Sequence, residues 1–78
     1  MKIYVDVILL NTKDGKIKPL AIVWANGVNY AIDKVSQITR AASTIAGGTG
    51  MRYTCHIQGK SRYLFLEEDR WFIEKKEA

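Results

Sequence analysis

The only cysteine and the only histidine of the chain, Cys55 and His56, are adjacent, and a thiol beside an imidazole is a pairing used in nucleophilic catalysis. They lie within the alternating run 51–58, which is typical of a β-strand. Because neighbouring side chains on a strand point to opposite faces, the thiol and the imidazole cannot meet. We therefore interpret Cys55 as a buried apolar residue and His56 as a surface residue. This pair also falls short of the ligand set of a structural zinc site, so we predict no metal and no cofactor.

A second apparent motif, Gly59-Lys60-Ser61, has the residues that close a phosphate-binding P-loop. That loop requires an earlier glycine, where this chain has Thr54, and a following helix, where it has the strand-like run 62–65. We interpret the motif as a hairpin turn. The acidic run Glu67-Glu68-Asp69 is interpreted as a solvated turn, because consecutive side chains in a turn diverge. No other residues have a spacing suited to acid–base catalysis, so we predict that the chain is not an enzyme.

A glycine-rich segment between two arginines is the most unusual feature of the sequence. Glycine costs roughly 0.5–1 kcal/mol relative to alanine, so such a segment needs positive φ, close approach of a backbone or ligand, or mobility. Free backbone N–H groups in a loop of this kind can bind an anion. A connecting loop with no ligand is the other interpretation. The candidate anion or nucleic-acid site comprises Arg40, Gly47, Gly48, Thr49, Gly50, Arg52, Lys60 and Arg62.

The composition bounds the class of protein. A chain of 78 residues makes a single domain, 1–78, with a thin core. Its 47% hydrophobic and 26% charged residues are the balance of a globular protein, and no apolar run is long enough to span a membrane. Asp6 interrupts the stretch that a signal peptide would need, and one cysteine cannot form an internal disulfide, so we predict a cytoplasmic protein. The net charge of +4 permits contact with phosphate.

The first quarter of the chain predicts two strands and an apolar outer face. Alternation over residues 2–10 places the odd-numbered apolar residues on the buried face and Asp6 on the outer face. An even-numbered loop around Asp14-Gly15 then joins this strand to a second one, 17–25, with the same face buried. Four apolar residues remain on the outer face and form a candidate partner interface: Ile8, Leu10, Ala21 and Val23.

The next turn predicts how the two strands that it joins are paired. A three-residue loop, Ala25-Asn26-Gly27, pairs Trp24 with Val28 and Ile22 with Tyr30, whereas a two-residue loop would oppose apolar to polar residues.

Residues 34–46 permit two interpretations. Their β-branched residues favour a continuing strand with a bulge at Asp33-Lys34. Apolar residues at helical spacing, with Gly47 as a stop, favour a short helix.

The last third predicts a hairpin, a charged turn and a final strand. A type II′ turn at Gly59-Lys60 would oppose Cys55 to Leu64, and residues 74–78 are expected to fray. Five or six short strands with regular turns predict an all-β antiparallel meander that curls into a small barrel, because open edges invite aggregation. A helix over 34–46 would make the fold α+β instead.

Several runs of the sequence carry a resemblance. They are Tyr30-Ala31-Ile32-Asp33-Lys34-Val35, Arg40-Ala41-Ala42-Ser43, the segment 47–55, Gly59-Lys60 and Trp71-Phe72. Together they resemble a family of short, stand-alone bacterial proteins with no assigned activity. Gly27, Tyr30 and Val35, followed by the late Trp71-Phe72, also look like small β domains attached to, or encoded beside, translesion DNA polymerases. The second resemblance implies a nucleic-acid-processing context and carries over no catalytic residue.

These observations predict a non-catalytic binding module, with two partner classes open. In a nucleic-acid-associated accessory protein, the basic residues of the candidate site contact phosphates while Thr49 and the glycines close around the backbone. In a protein-interaction or homodimerising module, the partner covers the apolar outer face. A small enzyme is the third hypothesis, and it requires His56 beside a carboxylate in a pocket.

Overall fold

The computed structural model of the protein describes residues 1–40 and 50–75, which form two antiparallel β-sheets. The five-stranded sheet has the order β1-β8-β7-β6-β5, and the three-stranded sheet has the order β2-β3-β4. The strands are β1 (Lys2–Tyr4), β2 (Asp6–Asn11), β3 (Ile17–Val23), β4 (Asn29–Ala31), β5 (Lys34–Arg40), β6 (Met51–Ile57), β7 (Lys60–Glu67) and β8 (Arg70–Glu74).

The chain passes between the sheets at two corners. β1 runs into β2 through Val5, whose backbone N–H donates to the Trp71 carbonyl of the five-stranded sheet over 3.1 Å. β4 runs into β5 at Asp33, whose backbone N–H donates to the His56 carbonyl over 2.8 Å. Each corner divides one predicted strand into two, which is why the described residues form eight strands where five or six were expected.

The predicted fold class, an all-β antiparallel meander, is confirmed. The strands do not close into a barrel, because no ladder of the described residues joins the two sheets. The sheets instead pack over a common core whose fully or largely buried members are Ile22, Tyr53, Cys55, Ile57, Leu64 and Trp71. Only Ile22 of these comes from the three-stranded sheet, so that sheet contributes mainly partly buried side chains.

The first hairpin has an odd-numbered loop where an even-numbered one was predicted. The Thr12 N–H donates to the Lys16 carbonyl over 2.8 Å, which leaves a three-residue loop, Lys13-Asp14-Gly15. Gly15 has a φ of 82°, the left-handed conformation that ends such loops. The prediction was wrong because it derived an even number of loop residues from the assumption that neither strand contains a bulge.

A β-bulge in β3 restores the predicted faces of Asp6, Val7 and Ile22. The pairing shifts at Leu20, an extra residue that is 41% exposed, so that Val7 opposes Ile22 as the alternation requires. Without the bulge, the odd-numbered loop would bring Asp6 opposite Ile22 and into the core. The loop and the bulge therefore compensate each other, and the exposed position of Asp6 results from both.

The second hairpin has the predicted three-residue loop and register. The Trp24 N–H donates to the Val28 carbonyl over 2.9 Å, and Gly27 has a φ of 84°. Ile22 opposes Tyr30, which places both side chains toward the core.

β5 decides between the two interpretations of residues 34–46 for the part that the structure describes, 34–40. Residues Lys34–Arg40 form a strand, so the helical alternative is wrong over this range, and residues 41–46 lie outside the described part of the chain. The pairing with β6 skips Ser36, which places the bulge there rather than at Asp33-Lys34.

The β6–β7 hairpin is shifted by two residues from the predicted register. Its turn is Gln58-Gly59, with φ values of 51° and 77°, so it is type I′ and not the predicted type II′ turn at Gly59-Lys60. Cys55 therefore opposes Arg62 rather than Leu64. A shift of two residues leaves every side chain on its predicted face, which is why Cys55 and Leu64 are both buried as expected.

A second apolar cluster lies on the outer face of the five-stranded sheet. Phe65 and Phe72 stack with ring centroids 5.2 Å apart, and Phe72 is fully buried. Tyr4 meets Phe72 edge to face at 5.7 Å. The Lys2 ammonium lies 4.4 Å from the Phe72 ring centroid and forms an ion pair with Glu67 at 2.9 Å, so a charged pair lies beside this cluster.

Position 50 requires a glycine because β7 passes too close to leave room for a side chain. A Cβ built on it would lie 2.5 Å from the Leu66 carbonyl oxygen and 2.6 Å from Glu67 Cγ, although its φ is not positive. Gly50 therefore belongs to the packing of β6 against β7. The remainder of the glycine-rich segment, Gly47, Gly48 and Thr49, lies outside the described residues.

The first and the last described residues, Met1 and Lys75, pair with each other. Glu74 ends β8 opposite Lys2, the Lys75 N–H donates to the Met1 carbonyl over 2.8 Å, and the Met1 ammonium donates to the Lys75 carbonyl over 3.1 Å. The predicted fraying is thus wrong for residues 74 and 75, and residues 76–78 are not described. Among the described residues there is no apolar helix of the length needed to cross a membrane.

Candidate functional site

A split in the five-stranded sheet is its most prominent irregularity. β7 pairs with β6 from Lys60 to Leu66 but pairs with β8 only from Phe65 to Glu67. Beyond Phe72, β8 continues alongside β1. The first half of β7 and the last half of β8 therefore diverge.

A cavity of about 1540 Å³ opens at this split, and we call it the basic cavity. Its apolar wall includes four isoleucines, one of them from the three-stranded sheet: Ile3, Ile22, Ile57 and Ile73. Its aromatic residues are Trp24, Tyr30, Tyr63 and Phe65. Its basic residues are Arg52, Lys60, Arg62 and Lys75. The cavity therefore combines apolar, aromatic and cationic side chains contributed by both sheets.

The edge of β7 that faces the split carries unpaired backbone groups. The turn-closing residue Lys60 directs its N–H and carbonyl toward β6, and the direction alternates along an antiparallel strand. Ser61 and Tyr63 consequently direct their N–H and carbonyl groups toward the split, where no strand of the described ranges pairs with them. The cavity thus offers hydrogen-bonding backbone in addition to side chains.

Three of the four basic residues predicted for the site, Arg52, Lys60 and Arg62, line this cavity. Lys60 and Arg62 lie on the core-facing side of the sheet, where Arg62 opposes Cys55, and both are exposed to solvent, whereas Arg52 opposes Phe65 and lies on the outer face. Arg40, the fourth, ends β5 opposite Met51 and is not among the described lining residues. Gly50 is also absent from that lining.

Arg52 is held at the cavity by an aromatic contact. Its guanidinium carbon lies 4.6 Å from the ring centroid of Tyr63, which is 54% exposed. The buried Nε atom of Arg52 has no hydrogen-bond partner among the described residues, and the same is true of Oγ1 of Thr39, which opposes Arg52 across the ladder. An unpaired buried donor costs about 1–3 kcal/mol, so Arg52 gains from any acceptor that reaches it.

Cys55 and His56 do not form a nucleophile and base. Cys55 is fully buried in the core, as predicted, and its Sγ lies 3.7 Å from the Tyr53 carbonyl oxygen. Burial raises the pKa of the thiol from 9.0 to about 11, so it is protonated and unreactive at neutral pH. His56 opposes Ser61 on the other face and is half-buried rather than exposed. In the described ranges no three His, Cys, Asp or Glu residues are grouped so that they could hold a metal ion.

The predicted apolar interface is exposed in part. Ile8 and Leu10 are 43% and 46% exposed, while Val23 is half-buried. Ala21 is buried, because it lies between Ile8 and Ala31 in neighbouring strands. Leu9, which was assigned to the buried face, is 36% exposed.

Sequence reasoning missed the aromatic part of the cavity and Lys75. Trp24 and Tyr30 were recognised as facing the core, but nothing in the sequence shows that the core opens at this point. Lys75 reaches the cavity because it pairs with Met1 after β8 has left β7. The alternation of Lys60, Arg62 and Leu64 along one strand was the only signal for the basic wall.

In comparisons by sequence and by fold, the chain matches no protein-family model, no curated protein and no solved structure.

Proposed function

We propose that the protein is a non-catalytic binding module that takes a single-stranded nucleic acid in the basic cavity. The observation that carries this proposal is that Lys60 and Arg62, on the core-facing side of β7, line one concave site together with Trp24 and Tyr30. Proteins that bind single strands combine a positively charged groove with aromatic side chains on which bases stack.

Each group of residues has a distinct role in this proposal. The exposed Lys60 and Arg62 contact phosphates, which adds a salt-dependent contribution to affinity. Trp24 and Tyr30 stack a base inside the cavity, and the exposed Tyr63, which is paired with Arg52 on the outer face, stacks a neighbouring base at the rim. The isoleucines of the wall exclude water around the base. This proposal includes two expectations that the resemblances imply: a bacterial origin and an accessory role in nucleic-acid processing.

A binding titration tests the proposal. We expect a labelled single-stranded oligonucleotide to bind at low salt more tightly than about 10⁻⁴ M, the weak end of non-specific binding. The double variant Lys60→Ala/Arg62→Ala should bind more weakly, while Lys13→Ala/Lys18→Ala, which removes the same charge from the first hairpin, should not.

Two results would contradict the nucleic-acid proposal. An acidic peptide such as polyglutamate that competes as well as the oligonucleotide would show a site for anions in general, and the nucleic-acid proposal would be wrong. Equal losses in the two double variants would show that net charge, and not the cavity, determines binding.

A protein-interaction module is the second candidate function. The observation that favours it is the exposure of Ile8, Leu9 and Leu10 in succession on β2, a run of apolar surface that a partner would cover.

A further inference from the structure

The four edge strands of the two sheets differ in how they are protected. β1 and β4 are only three residues long. β5 has a bulge at Ser36 and carries Lys34 and Arg40 at its ends. Short strands, bulges and charges are the devices that keep a sheet edge from pairing with another chain.

β2 has none of these devices between its ends. It is six residues long, and the pairing shift beside it is taken up by the extra residue of β3. Ile8, Leu9 and Leu10 are between 36% and 46% exposed. Within the described part of the chain, β3 is its only ladder partner. An exposed, apolar and uninterrupted edge of this length favours pairing with a further strand.

The backbone of β2 fixes which of its residues could pair outward. The Thr12 N–H bonds to Lys16 across the first hairpin, and the direction alternates from there along β2. Val7, Leu9 and Asn11 consequently direct their N–H and carbonyl groups to the outer edge.

We propose that β2 pairs with β2 of a second copy of this chain, antiparallel and with the two-fold axis at Leu9. Leu9 then opposes its counterpart and Val7 opposes Asn11 of the other copy, so all three outward residues are satisfied. The pairing joins two three-stranded sheets into one continuous sheet. On its outer face Ile8 of each copy contacts Leu10 of the other.

The distribution of charge favours a second copy in this orientation. One end of the β2 edge carries Asp6, and the other end runs into the turn that holds Lys13, Asp14 and Lys16. In an antiparallel pair, the acidic end of one copy meets the net positive turn of the other. A parallel pair would bring lysines against lysines.

This inference is independent of the nucleic-acid proposal. The described residues that line the basic cavity include none of β2. Loss of dimerisation with oligonucleotide binding intact, or the reverse, would therefore separate the two.

Sedimentation equilibrium of the full chain tests the proposal. We expect a monomer–dimer equilibrium, weakened about tenfold or more by Leu9→Lys, which places a charge at the centre of the pairing. Ile38→Lys, which alters a residue that is 50% exposed on the β5 edge, should leave the dimer unchanged. A chain that stays monomeric at all concentrations would overturn the proposal, as would equal weakening by both variants.

A second pair of variants tests the backbone geometry. Asn11→Pro removes the outward N–H without altering the apolar side chains, whereas Asn11→Ala keeps it. We expect only the proline variant to weaken the dimer, with far-ultraviolet circular dichroism showing that both are folded. A dimer that tolerates Asn11→Pro would contradict pairing through the edge.

Discussion

At the scale of single residues, burial raises the pKa of two side chains of β6, Cys55 and Tyr53. Cys55 is enclosed by the core, and burial raises the pKa of its thiol to about 11. Burial also raises the pKa of Tyr53, the next residue on the same face, with a smaller contribution from Cys55. Both groups favour the neutral form and stabilise the fold only while they keep their protons.

The pKa of Cys55 predicts how stability depends on pH. Its folded-state pKa is raised above the ordinary value of 9.0, so its contribution is complete below pH 9.0 and is lost as the pH rises to about 11. The loss amounts to about 3 kcal/mol in the free energy of unfolding. Denaturant titrations should show this decline relative to the Cys55→Ala variant, in which Tyr53 still titrates. Parallel pH profiles of the two proteins would contradict the assignment.

Gly50 provides a second prediction at this scale. Gly50→Ala should lower the free energy of unfolding by about 1–3 kcal/mol, because the added carbon meets the Leu66 carbonyl oxygen and a backbone must move. Gly15 is a suitable control, since a Cβ there meets nothing within 4 Å and only its φ of 82° is demanding. Asparagine tolerates that conformation, so Gly15→Asn should be mild and Gly50→Asn severe. Similar values for the two asparagine variants would show that the close approach is unimportant.

At the scale of elements, the bulge in β3 and the first loop act as a pair. Deleting Leu20 alone removes the extra residue and leaves Ile8 opposite Ala21 and Val7 opposite Ile22, with the three-residue loop unchanged. No other residue changes face, so we expect the deletion to cost no more than about 1 kcal/mol in the free energy of unfolding, measured by denaturant titration. A loss of about 3 kcal/mol or more would show that Leu20 itself is needed, and that it does more than match the register to the loop.

The strand faces and one hairpin could be predicted from the sequence, whereas the β6–β7 register and the bulges could not. Strand faces followed from alternation, and the Ala25-Asn26-Gly27 turn followed from pairing apolar with apolar residues. The β6–β7 register was wrong by two residues because Gln58, a residue that seldom adopts positive φ, forms the turn with Gly59. Bulges at Leu20 and Ser36 left no trace in the pattern, because a bulge depends on the partner strand as much as on its own residues.

At the scale of the whole molecule, the two corners explain why the basic cavity was only half predictable. Lys60 and Arg62 could be read from one strand, but their proximity to Trp24 and Tyr30 depends on how the three-stranded sheet packs on the five-stranded one. That packing follows from the sheet changes at Val5 and Asp33, which sequence alternation passes through without interruption. The basic cavity is thus a product of the tertiary fold, and it contains Arg52, Lys60 and Arg62 of the predicted site, whereas Gly47, Gly48 and Thr49 lie outside the described residues.

The salt dependence of single-stranded oligonucleotide binding is the most direct test of the proposed function. Each phosphate contact contributes about −0.7 to the slope of log affinity against log salt for single strands. Removing Lys60 and Arg62 together should therefore make the slope less negative by about 1.4, while Lys13→Ala/Lys18→Ala leaves it unchanged. A slope that is the same for the wild-type chain and both double variants, or no binding at low salt, would contradict nucleic-acid binding in the basic cavity.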